Sequence, residues 1–115
     1  MKHIKPHYIV IIIILALAAA GIWLLATQQP RMILFYSDSC PHCQVVAEYI
    51  DQNGIRERFK FQELEVSRSQ ANATLLERKA RQCDLDTAQG LGVPFFFDGE
   101  KCLMGDQDII DYFKK

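Results

Sequence analysis

Cys40-Pro41-His42-Cys43 is the stretch of this sequence best suited to chemistry. Two thiols at this spacing on a helix have Cα atoms about 5 Å apart, within disulfide range. Such a pair exchanges with other disulfides through thiolate attack and a mixed-disulfide intermediate. The motif lies between the apolar run Met32-Ile33-Leu34-Phe35-Tyr36, broken by Ser37-Asp38-Ser39, and a helical stripe of Cys43, Val46, Ala47 and Ile50. That places Cys40 at or beside a helix N-cap. Unpaired N–H groups and the positive end of the macrodipole favour a thiolate there. Pro41 takes the first helical position, where its missing N–H costs nothing. Cys43 follows one turn later and points inward. Cys40 is therefore expected to attack, and Cys43 to resolve the mixed disulfide. His42 can offer the thiolate a hydrogen bond or a positive charge. Either would stabilise the reduced pair and make the disulfide more oxidising. A solvated surface side chain is the other reading of His42.

Two further cysteines, Cys83 and Cys102, are 19 positions apart and do not repeat the spacing. A zinc site would need a second closely spaced ligand pair, so no metal is expected. Cys83 falls on the stripe of a second helix and Cys102 on a last strand. Three readings stay open for them: a structural disulfide, two buried free thiols, or a second redox pair feeding the first.

The elements that must position these groups follow from periodicity. Met32–Tyr36 reads as a buried strand, and Asn53-Gly54 ends the helix after the motif. Residues 59–66 suggest a second strand with a blurred register. From Ser69 to Cys83 the pattern is helical, with Ala73, Leu76, Ala80 and Cys83 on one face. After the loop Gly90-Leu91-Gly92, two short strands flank Asp98-Gly99, which predicts a tight type I′ hairpin. Gly105-Asp106 opens a last helix carrying Ile109, Ile110 and Phe113. The order βαβαββα calls for an α/β fold. Its four-stranded mixed sheet has a right-handed parallel crossover and helices on both faces.

Ahead of this domain, residues 8–26 form a run of 19 residues without a charge. As a helix it would reach about 28 Å, enough to cross a bilayer. The expected organisation is a cytoplasmic tail over 1–7, a transmembrane anchor over 8–26, a linker over 27–30 and a domain over 31–115. Lys2 and Lys5 precede the run, which puts the N-terminus in the cytoplasm and the domain outside. A cleaved signal peptide is the alternative, since Ala16-Leu17-Ala18 and Ala18-Ala19-Ala20 fit a cleavage site. The domain carries eleven basic and fourteen acidic residues, a balance of −3. Nothing in that balance calls for nucleic acid.

The residues 35–43, Gly92-Val93-Pro94-Phe95-Phe96-Phe97 and Gly105-Asp106 together resemble the thioredoxin superfamily, in its short glutaredoxin-like branch. The resemblance covers Arg31 to Lys115. It implies a cis Val93-Pro94 peptide beside the active site, with the Val93 backbone open to pair with an extended substrate. His42 stands where glutaredoxins usually have Tyr, and Pro-His is the dipeptide of DsbA-like oxidases. Gly92 replaces the usual Thr, and Met104 the first glycine of a pair. Asp106 has two readings, a partner for a glutathione amine or an ordinary N-cap. The resemblance implies a membrane-tethered thiol-disulfide oxidoreductase acting on protein thiols, reset by a redox partner and without a bound cofactor. The alternatives are a glutaredoxin using glutathione as co-substrate and a non-catalytic binding module. The direction of electron flow depends on the partner.

Overall fold

Residues 3–26 and 31–115 are described by the computed structural model. The expected linker at 27–30, and Lys2 of the basic flank, lie outside the described residues. Pro6–Ala26 forms helix α1, 21 residues long with none buried. The helix starts inside the expected tail, because proline suits a first helical position. It is long and apolar enough to cross a membrane, a property it shares with a signal sequence.

The run Met32–Tyr36 forms strand β1, with Ile33, Leu34 and Phe35 buried. Helix α2, Pro41–Gln52, leads away from its end and buries Cys43, Val46 and Ile50. Asn53 caps α2, and Gly54 at φ 59° redirects the chain into the one-turn helix α3, Ile55–Arg58. Strand β2, Phe61–Glu65, then pairs parallel to β1, with Met32 opposite Phe61 and Tyr36 opposite Glu65. Helix α4, Gln70–Gln82, follows. Ser69 Oγ accepts its Asn72 N–H at 3.2 Å, and Cys83 caps its end. Strand β3, Phe95–Phe97, is antiparallel to β1, and β4, Cys102–Met104, is antiparallel to β3. Helix α5, Asp106–Phe113, closes the domain. The sheet order is β2-β1-β3-β4.

Alternation along the strands separates two cores. Leu34 and Phe96 face α2, α3 and α5, where they meet Val46, Ile50, Ile55, Ile109 and Phe113. Ile33, Phe35, Phe95 and Phe97 face α4, where they meet Leu76 and Ala80. The blurred register of residues 59–66 has its cause here. Phe59 and Phe61 pack on the first core, whereas Leu64 and Val66 pack on the second.

Two local expectations need correction. The hairpin between β3 and β4 is not a two-residue type I′ turn. Phe97 pairs with Cys102, leaving four residues in the loop. Gly99 has a positive φ, and Asp98 does not. The Asp98 carboxylate instead accepts the N–H groups of Glu100 and Lys101 at 2.8 and 2.6 Å, closing the wider loop. Helix α3 was not expected, because a single turn is too short to show a period.

Candidate functional site

The parallel pair β1 and β2 sends both following helices off the same end of the sheet. Strand β3 is antiparallel, so it enters at that end, and β4 leaves there toward α5. The starts of α2, α4 and α5 and the loop before β3 therefore share this edge. All of the motif residues meet here.

Cys40 is the N-cap of α2, in an extended conformation (φ −95°, ψ 115°), and Pro41 begins the helix. The Cys40 sulfur accepts the Cys43 backbone N–H at 3.2 Å. Its thiol also lies 3.5 Å from the carbonyl oxygen of Val93, to which it donates. Cys40 is half-buried, while Cys43 is 5% exposed. Burial pushes the Cys43 thiol up to about 12, and its hydrogen bond with Cys40 adds to the effect. The two thiols are free, and their environments are unequal. On the inner side, Tyr36, Ser37, Asp38, Cys43, Gln44 and Ala47 line a shallow groove of about 130 Å³.

The Val93-Pro94 peptide is cis, and Pro94 is fully buried. The Pro94 carbonyl accepts the Gly105 N–H at 3.1 Å, tying this loop to the start of α5. The Val93 N–H has no hydrogen bond among the described residues.

His42 is largely exposed, and its Nδ1 lies 3.2 Å from Asp106 Oδ2. The ring's partner is therefore Asp106 and not the Cys40 sulfur, which corrects the expectation of a hydrogen bond to the thiolate. Asp106 is also not the N-cap of α5. Gly105 holds that place, and Asp106 is the first helical residue, accepting the Gln107 N–H at 3.0 Å. The hydrogen bond from His42 is the main cause holding the Asp106 carboxyl below its ordinary value. Sequence reasoning missed this pairing, since the two residues are 64 positions apart. The available signal was that each begins a helix, and both helices start at one sheet edge.

Cys83 and Cys102 are not part of this cluster. They form a disulfide with Cα atoms 6.1 Å apart, joining the end of α4 to the first residue of β4. Cys102 opposes Phe97, whereas Met104 opposes Phe95 beside Pro94. The bridge thus lies toward the other end of the edge strand.

The family model for the glutathione S-transferase N-terminal domain matches residues 34–115, from the centre of β1 to the last residue. The chain belongs to this family. No individual curated protein matches it. This glutathione S-transferase N-terminal-type domain is a member of the thioredoxin superfamily, with the four-stranded mixed sheet described above. The fold is compatible with an oxidoreductase, and its cysteines with thiol redox or glutathione-related chemistry.

Proposed function

We propose that the protein is a membrane-tethered, extracytoplasmic thiol-disulfide oxidoreductase that acts on protein thiols through Cys40 and Cys43. The observation that carries this reading is the asymmetry of the pair. Cys40 is accessible at a helix start, with an N–H aimed at its sulfur, and Cys43 is a buried thiol held protonated. In the reducing direction, the Cys40 thiolate attacks a substrate disulfide. A Cys40–substrate bond forms and one substrate thiolate leaves. Cys43 then loses its proton and attacks the Cys40 sulfur. The second substrate thiol is released, and Cys40–Cys43 becomes the disulfide. The reverse sequence oxidises a substrate dithiol. The free Val93 N–H beside Cys40 suits pairing with an extended peptide.

Anchoring and export rest on α1 and on the Cys83–Cys102 bridge. Structural disulfides persist in oxidising compartments, where α1 would deliver the domain, either as an anchor or as a leader. The family match favours a second reading, in which glutathione is the co-substrate. Asp106, a position that could meet a glutathione amine, is occupied by His42, which favours protein substrates.

Turnover assays separate these readings. The full chain should reduce insulin and oxidise a reduced protein, with Cys43→Ser trapping the mixed disulfide. Glutathione-linked reduction of a small disulfide that survives in Cys43→Ser would instead establish the second reading. A wild-type chain that neither reduces insulin nor oxidises protein thiols would leave a binding module.

A further inference from the structure

A second groove opens at the catalytic edge, on the α4 side of the sheet. It measures about 160 Å³ and lies between the first turns of α4 and the loop that leads to Val93. Val66, Ala73, Leu76 and Leu91 give it an apolar wall, and Glu77 and Thr87 supply its polar side chains. Val66 follows directly on β2, and its N–H bonds the Tyr36 carbonyl at 2.9 Å. The wall is therefore fixed to the same sheet end as the cysteine motif.

The loop from Leu91 to Val93 joins this groove to Cys40. The N–H groups of Leu91, Gly92 and Val93 make no hydrogen bond among the described residues. Leu91 and Val93 pack on the α4-side core, while Gly92 is exposed. An open row of donors suits backbone pairing with an extended chain. The Cys40 sulfur lies 3.5 Å from the Val93 carbonyl oxygen, so a cysteine bonded to Cys40 stands beside Val93. Leu91 lies two residues back along the loop, about 7 Å in an extended chain, and side chains two apart on an extended peptide point to the same side. The residue two positions from the bonded cysteine therefore presents its side chain at Leu91 and the groove.

Wall and charge together define that side chain. An apolar cavity of roughly 150 Å³ holds a benzene-sized group, so the stem of a long side chain fits. No Lys or Arg lines the groove. Within α4, Glu77 pairs with Arg81 at 3.8 Å, and both side chains are largely exposed, which makes the pair weak. Arg68, at the same edge, is engaged by Asp38 and Glu65. Glu77 is thus open to a second cation. A lysine covers apolar surface with its stem and keeps its charged head in water.

We propose that this groove is a substrate subsite that selects a lysine-type side chain two positions from the attacked cysteine, with its stem on Leu76 and Leu91 and its ammonium at Glu77. The inference rests on the protein-thiol reading above and names the substrate sequence that the reading leaves open.

The test uses the full-length Cys43→Ser chain in detergent, which stops at the mixed disulfide. It reacts with symmetric peptide disulfides that carry lysine, norleucine, alanine or glutamate two positions before or two positions after the cysteine. The Cys40 thiolate attacks, one peptide joins Cys40 and the other leaves as a thiolate. Mass spectrometry reads the rate of mixed-disulfide formation. At one of the two positions lysine should react about fivefold faster than glutamate, and norleucine about threefold faster than alanine. Glu77→Lys should invert the order of lysine and glutamate. This readout is a ratio, so a general loss of rate in the variant does not imitate it. Equal rates for all four residues at both positions overturn the subsite. A lysine preference that persists when the charge is moved to the far end of the peptide, or an order unmoved by Glu77→Lys, overturns Glu77 as the selector. A chain that forms a mixed disulfide with oxidised glutathione and with none of the peptides overturns the protein-thiol reading itself, and the subsite with it.

Discussion

The two cysteine pairs of this domain occupy opposite kinds of helix end. Cys40 sits at the start of α2, where the Cys43 N–H points at its sulfur. Cys83 sits at the end of α4, where carbonyl groups are exposed and the macrodipole is negative. The first end offers an N–H donor to a sulfur, and the second offers only carbonyls. One pair is free, local and beside the Val93 carbonyl. The other is closed, spans 19 positions and ties a helix to the edge strand. Backbone placement, more than residue type, thus separates a reactive thiol from a staple.

The largest effect should come from breaking the reactive pair. Cys40→Ser is expected to lower protein-disulfide turnover to background, because the other free thiol at that edge, Cys43, is buried and held protonated. Iodoacetamide near neutral pH should label Cys40 first and reach Cys43 only on unfolding, since burial holds Cys43 protonated. Equal labelling of the two in the native protein would dissolve the asymmetry on which their roles depend.

Opening the staple should cost stability and spare chemistry. A bridge closing a loop of about 20 residues contributes about 3 kcal/mol by restricting the unfolded chain. The double variant Cys83→Ala, Cys102→Ala should therefore melt roughly 10–20 °C lower. Its turnover at 25 °C should stay near wild type, because Cys102 pairs with Phe97 and not with the residues around Pro94. Lost turnover at unchanged melting temperature would instead make the second pair an electron relay.

These contrasts show which parts were readable from the chain. Local apolar runs located β1, and the pattern from Ser69 to Cys83 bracketed α4 between its two caps. The C-x-x-C motif, between a strand and a helical stripe, located the reactive edge. What stayed hidden depends on long-range register or on one side chain. The Asp98 carboxylate widened a loop that Asp-Gly alone suggested was tight. The His42–Asp106 contact arises only when strand order brings distant helix ends together. No periodicity within the chain encodes it.

A smaller effect should follow from separating His42 and Asp106. The carboxylate offsets whatever positive charge His42 brings to the edge that holds Cys40. Asp106→Asn should make the Cys40–Cys43 disulfide more oxidising, and His42→Tyr less so. Each shift should stay within about tenfold in the equilibrium constant against glutathione, or roughly 30 mV. Identical redox titrations for the wild type and both variants would reduce the contact to surface decoration.

The smallest effect concerns Glu65, which shapes the turn from β2 into α4 at the same edge. Its carboxylate accepts the Ser67 hydroxyl and the backbone N–H groups of Ser67 and Arg68, the latter two at 2.9 Å. The Ser67 hydroxyl is the leading cause that lowers Glu65 from 4.5 to about 2. A depressed carboxyl contributes stability that is fully present above its unfolded value. That contribution fades as pH falls from about 4.5 through about 2. Glu65→Gln should therefore lower the melting temperature slightly at pH 7, because an exposed site adds little. The gap between variant and wild type should narrow as the pH drops below 4.5. Melting curves recorded from pH 7 to pH 3 would show this convergence. A gap that widened on acidification would mean that the glutamate stabilises the turn through its protonated form, contrary to the three donors that converge on it.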